Sequence, residues 1–235
     1  MIRGRTGFGL LLALLALIFA ALIALGIWQV HRLHWKEALI ARVDARVTAP
    51  PSPAPGPAQW RDINAKRAEY RHVRVTGRYR SGSDTLVQAA TDLGSGFWVL
   101  TPFESRRGFT VLVNRGFVPD RKAVTTPGGQ RTITGLLRIT EPGGGFLRSN
   151  HPGEDRWYSR DVAAIARTRG LGTVAPYFID ADKGQDDASG PVGGLTVIRF
   201  PNNHLVYAIT WFGLALMTLA GTALLIRERF RPQKD

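Results

Sequence analysis

Five histidines, His31, His34, His72, His151 and His204, are the side chains of this sequence best suited to proton or metal chemistry near neutral pH. Neutral imidazole is a common axial ligand to haem iron and also suits copper or zinc. His31 and His34 stand three apart, so a helix sets them on one face. His204 follows Asn202 and Asn203 at the start of an apolar run. Cysteine is missing altogether, which excludes disulfides, thiolate catalysis, covalent c-type haem attachment and thiolate metal sites. Ser149, His151 and Asp155 are close in sequence, but no Gly-x-Ser-x-Gly elbow surrounds a serine. Ser149-Asn150-His151-Pro152-Gly153 reads more simply as a turn. No His-Glu-x-x-His, phosphate loop or dinucleotide fingerprint occurs. Two methionines are too few for a methionine-rich copper carrier.

The elements that position these histidines begin with two apolar runs. Residues 7–28 and 205–226 carry no charge, and each is about 33 Å long as a helix, enough to cross a bilayer core of about 30 Å. The first run exceeds the core of a signal peptide, so an uncleaved span is expected. No Arg- and Ser-rich leader precedes it, which points to a bacterial inner membrane. Arg227, Arg229, Arg231 and Lys234 follow the second run, and Arg3 and Arg5 precede the first. By the positive-inside tendency residues 1–6 and 227–235 are cytoplasmic, and residues 29–203 form a periplasmic domain. The formal charge of +13 is spread rather than clustered, so it suits anionic lipid headgroups and not nucleic acid.

Between the spans the hydrophobic period changes. Gln29 to Val47 continues the first helix, with Val30, Leu33, Ile40, Val43 and Val47 at helical spacing. Residues 50–57 form a Pro-rich linker, expected to be extended and solvated. A short helix is expected around 59–69. From Tyr70 the period is two, with Val73, Val75 and Tyr79 inward and His72 on the wet face as a solvated side chain. Further strands are expected at 85–90, 96–103, 109–118, 131–139, 177–180 and 195–200, with Gly94-Ser95-Gly96 as a hairpin turn. Short connections favour antiparallel pairing. Asp161 to Gly170 reads as a helix with Ala163, Ala164, Ile165 and Ala166 inside, and 182–194 as an acidic, mobile loop. The fold class is therefore two transmembrane α-helices flanking a mainly antiparallel α+β domain, a small barrel or curved sheet seated on the membrane.

Two antiparallel spans bring His31, His34 and His204 to one interface. Their plainest role is that of interfacial amphipathic residues. Tyr207 and Trp211 lie on one side of a helix with His204, and Trp28 and Trp35 flank the other span. A flat porphyrin fits between such aromatic surfaces, although an aromatic belt is the commoner reason for them.

Several motifs, taken together, resemble the surfeit locus protein 1 family of cytochrome c oxidase assembly factors. At the first span they are Leu25-Gly-Ile-Trp-Gln-Val-His-Arg with Trp35-Lys36. Tyr70-Arg-His-Val-Arg-Val-Thr-Gly, Gly96-Phe-Trp-Val-Leu-Thr-Pro-Phe and Val113-Asn-Arg-Gly-Phe-Val-Pro follow. Gly135-Leu-Leu-Arg with Glu141-Pro142, Trp157-Tyr-Ser-Arg-Asp and Pro201-Asn-Asn-His-Leu-Val-Tyr-Ala-Ile-Thr-Trp-Phe complete the order. The resemblance implies a non-enzymatic factor that binds haem A transiently and assists its insertion into the oxidase catalytic subunit, with haem A synthase and the lipid bilayer as further partners. It implies His204 as the haem-iron ligand. Tyr207 and Trp211 are the expected ring contacts, and Arg115 is the expected propionate partner because a guanidinium pairs bidentately with carboxylates. The competing reading is a haem-free scaffold that holds an oxidase intermediate.

Overall fold

The computed structural model describes residues 4–121, 124–145, 147–185, 190–198 and 200–231. They form a helical unit, Met1–Arg42 with Arg199–Asp235, and a β unit, Val43–Ile198.

The helical unit pairs α1 (Arg5–Val47) with α4 (His204–Arg229), the last helix of the chain. Both are long and apolar enough to cross a membrane, and their exposed faces are lined with leucine and isoleucine. They run antiparallel: Gln29 meets His204 at one end, and Arg229 lies over the Phe8 ring at the other. Small residues let them close. A Cβ on Gly26 would fall 2.5 Å from the Phe212 ring, and Ala208 and Ala215, two turns apart on α4, are buried. Thr210, Thr218 and Thr222 return their hydroxyls to the carbonyls four residues earlier, so α4 offers lipid no unsatisfied donor there. Asn203 is the N-cap residue of α4, and its side chain makes no capping bond.

The β unit is a closed five-stranded barrel. β2 (His72–Tyr79), β6 (Arg131–Ile139), β9 (Val174–Ala181), β5 (Thr110–Val118) and β4 (Gly94–Ser105) pair in that order, and β4 closes back onto the second half of β2. At the closure a Cβ on Gly77 would lie 2.0 Å from the Glu104 carbonyl oxygen, so only glycine fits. β3 (Thr85–Thr91) extends β4 outward as an arm, and the two-residue strands β7 (Gly144–Gly145) and β8 (Arg148–Ser149) form a small separate ribbon. Alternate residues fill the barrel: Val73, Val75, Tyr79, Phe103, Val111, Val113, Ile133, Leu137, Tyr177 and Ile179. The opposite face of β4, β5 and β9 presents Leu100, Leu112 and Phe178 to Trp157 and to α3 (Val162–Thr168). With both faces covered, β5 is buried without a break from 111 to 117, polar Asn114 and Arg115 included.

Several sequence expectations change. The Pro-rich stretch 50–57 is extended but not a solvated linker. Within it β1 (Ser52–Pro53) pairs parallel with β2, Ala54 is buried, and the Pro55 carbonyl accepts from Trp60 Nε1 and the Tyr177 hydroxyl. The expected helix at 59–69 is a 3-10 turn, Pro57–Asp62, and one α turn, α2 (Ala65–Ala68). Gly94-Ser95-Gly96 belongs to β4, the turn being Asp92-Leu93. Residues 195–198 form no strand, and position 199 lies outside the described residues. Two pairings, β5 with β9 and β1 with β2, are parallel, because long intervening chain provides the crossovers. On α3 the residues inside are Val162, Ala164 and Ile165, whereas Ala163 faces solvent. Of the loop 182–194, expected to be mobile, positions 186–189 lie outside the described residues, and Val192 is held by paired backbone bonds to Phe117.

Candidate functional site

His204 opens α4, where the first turn leaves backbone N–H groups without helical partners. Its Nδ1 stands 2.7 Å from Oε1 of Gln29, which is buried on α1. The carboxamide oxygen only accepts, so Nδ1 carries the proton. In the neutral ring Nε2 then bears the lone pair, and among the described residues it has no hydrogen-bond partner. An imidazole whose far nitrogen donates to a fixed acceptor is held in one orientation, the usual support of a metal-bound histidine.

Around it, Tyr207 is exposed and Trp211 half-buried. The Trp211 Nε1–H and the Asn202 Oδ1 are buried without hydrogen-bond partners among the described residues. Trp28 and Trp35 are exposed, with Arg32 over the Trp35 ring, and Lys36 lies over Phe200. His31 and His34 are exposed, and His34 faces Glu37 at 3.6 Å. Gln29, not either histidine, is the α1 residue that touches His204. Among the described residues no three His, Cys, Asp or Glu side chains gather as a metal cluster.

Arg115 belongs to the β unit and is buried there, with Nη2 donating to the Thr125 carbonyl and its guanidinium over the Tyr79 ring. His72, expected to be solvated, is instead held between Asp182 Oδ2 at 2.8 Å and the Ala49 carbonyl at 3.0 Å. Burial, the largest influence, pulls its pKa down, but the Asp182 hydrogen bond, the Ala49 bond and the Asp182 charge together raise it above the ordinary value. His151 is exposed, and its backbone pairs with Arg156.

Gln29 is the residue that sequence reasoning passed over. Its signal was its place: an amide at the end of the uncharged run, where the only reason to bury a polar group is a partner.

The SURF1 family matches residues 16–216 of this chain. A rat protein named Surfeit locus protein 1 is 38% identical over 226 residues, covering 87% of this chain and 72% of its own length. The human protein of that name is 35% identical over 227 residues, covering 87% and 73%. A SURF1-like protein of Monosiga brevicollis is 34% identical over 244 residues, covering 95% and 90%.

Proposed function

The chain belongs to the SURF1 family of oxidase assembly factors, and on that premise we propose that it carries haem A as cargo to the catalytic subunit of a haem-copper cytochrome c oxidase. The observation that supports this reading is the His204–Gln29 pair, which leaves Nε2 of His204 as a lone-pair donor. Haem iron supplies an open coordination position. His204 occupies it, Gln29 fixes the tautomer, and Tyr207 with Trp211 contacts the ring. One protein ligand suits transfer, because release to the acceptor breaks a single coordination bond. The process makes and breaks no covalent bond of a substrate and is not enzymatic.

We place the chain in a bacterial inner membrane; the basic end of α4, with Arg227, Arg229 and Arg231, supports an orientation with both termini cytoplasmic and the β unit periplasmic. Haem A synthase is the natural donor of the cargo and the oxidase subunit its acceptor.

The test is an absorption spectrum of wild type and His204→Ala purified from cells that make haem A. Wild type carries haem with a histidine-ligated iron spectrum, and His204→Ala loses the haem or changes the spectrum. Equal haem with identical spectra overturns the ligand. Absence of haem in both, with oxidase assembly still dependent on the protein, establishes the scaffold reading instead.

A further inference from the structure

A cavity of about 650 Å³ lies on the outer wall of the barrel, within the β unit. Its lining includes Trp98, Asn114, Arg138, Arg160, Asp180 and Thr196. The barrel's alternation puts them there. Residues 113, 137 and 179 point into the core, so Asn114, Arg138 and Asp180 point outward from β5, β6 and β9. Such a volume is ordinary for a small-molecule site.

The hydrogen bonds at its floor are unequal in kind. Asp180, 4% exposed, receives Arg138 Nη1 at 2.8 Å, Asn114 Nδ2 at 2.8 Å, Thr196 Oγ1 at 2.9 Å and Arg160 Nη1 at 3.4 Å. A carboxylate has about four acceptor sites, so Asp180 is saturated. The Asn114 oxygen is taken by the Gly116 N–H. Arg138 otherwise gives only Nε to Glu69, and Arg160 gives Nε and Nη2 to Glu141. Each guanidinium has about five N–H donors, so roughly two to three on each are left without a partner among the described residues. Both arginine side chains are only 14% exposed, and both lie against the Phe178 ring. The two arginines line the cavity beside the apolar Trp98, Leu195 and Val197, with Asp92 at the exposed rim.

We propose that this cavity binds a carboxylate carried on a flat, apolar body, the carboxylate between Arg138 and Arg160 and the body against Trp98, Leu195 and Val197. A carboxylate suits this place because its two oxygens can accept from the remaining N–H groups of both guanidiniums. Selectivity against neutral analogues follows, since a hydroxyl brings one uncharged oxygen where the carboxylate brings two charged ones. This site is independent of His204 and stands whether or not the chain carries haem.

Calorimetric titration of the full chain in lipid nanodiscs with 1-naphthoate, after subtraction of empty nanodiscs, tests it. One saturable site per chain is expected, with 1-naphthalenemethanol and inorganic phosphate each binding at least tenfold more weakly. Arg138→Gln and Arg160→Gln weaken naphthoate by tenfold or more. Val197→Trp does the same by narrowing the mouth from an exposed rim position that leaves the fold intact. Near-UV circular dichroism of each variant reports its fold, and Val197→Trp decides the case if an arginine variant does not fold. Equal binding of the acid and the alcohol, tighter binding of phosphate, no saturable binding, or unchanged affinity in the folded variants each overturns the proposal.

Discussion

His204 and Gln29 meet side chain to side chain at 2.7 Å, joining the two apolar helices at one end. The contact fixes which imidazole nitrogen is free, so removing the amide acts on the histidine without touching it. In Gln29→Leu the ring loses its acceptor, and under the proposed haem ligation the affinity for haem A falls about 10- to 100-fold, as for other lost supports of metal-bound histidines. Nitrogen-15 NMR of the labelled ring supplies a readout that needs no haem. Wild type shows Nδ1 protonated and Nε2 bare, whereas Gln29→Leu shows a tautomer mixture. An unchanged ring spectrum in the variant removes Gln29 from the site.

The same helices depend on Gly26. Its place against the Phe212 ring leaves no room for a side chain, and Gly26→Val costs about 1–3 kcal/mol through overpacking. Phe212→Ala in the same chain relieves the clash, so the double variant recovers most of the loss in thermal unfolding. Additive losses would separate the two residues.

His72 makes stability depend on pH. With a carboxylate at one nitrogen and a carbonyl at the other, both must donate, which only the imidazolium does. Its folded pKa lies above the ordinary 6.5. The contribution is therefore complete below about pH 6.5 and is lost as pH rises through the folded value. Asp182 is about a third exposed, and after screening by solvent the contribution is about 1 kcal/mol. Melting temperatures of wild type and His72→Gln should differ most at pH 5.5 and converge by pH 8.5. A gap that widens with pH would contradict the imidazolium.

The strap at 50–57 is held by the Pro55 carbonyl, which takes two donors. Tyr177→Phe leaves Trp60 in place and costs about 1 kcal/mol, the usual worth of one buried hydrogen bond. Adding Trp60→Phe orphans the carbonyl, so the double variant loses more than the two single losses together. Chemical denaturation of the four proteins measures this. Burial holds the Tyr177 phenol well above its ordinary value, so the effect is constant across neutral and mildly alkaline pH.

Much of this was legible in the chain. The two uncharged runs could hide their backbone groups in lipid only as helices, and residues 131–139 showed the period of a strand between turn residues. The helix after Asp161 carried its own cap, since Asp161 accepts from the Ala164 N–H. His204 stood out because a titratable side chain at the end of an apolar span has few reasons to be there.

Long-range pairing was not legible. Ser52 and Pro53 looked like linker because proline breaks local structure, yet an edge strand tolerates proline where a neighbour needs only its carbonyls. His72 counted as wet by alternation along its own strand, and the group that covers it, Asp182, is 110 residues away. The same holds for Asp180, whose partners Asn114, Arg138, Arg160 and Thr196 come from four separate segments.

By itself the sequence determined the local state of the chain: spans where hydrocarbon demands internal hydrogen bonding, strands where apolar side chains alternate, and a histidine set at a span's end. Only the tertiary structure decided what each polar side chain meets. Hydrophobic period records which face of an element is buried, but a hydrogen bond depends on two residues distant in sequence arriving at one place. That arrival turned Gln29 into the partner of His204 and gathered Arg138 and Arg160 around Asp180.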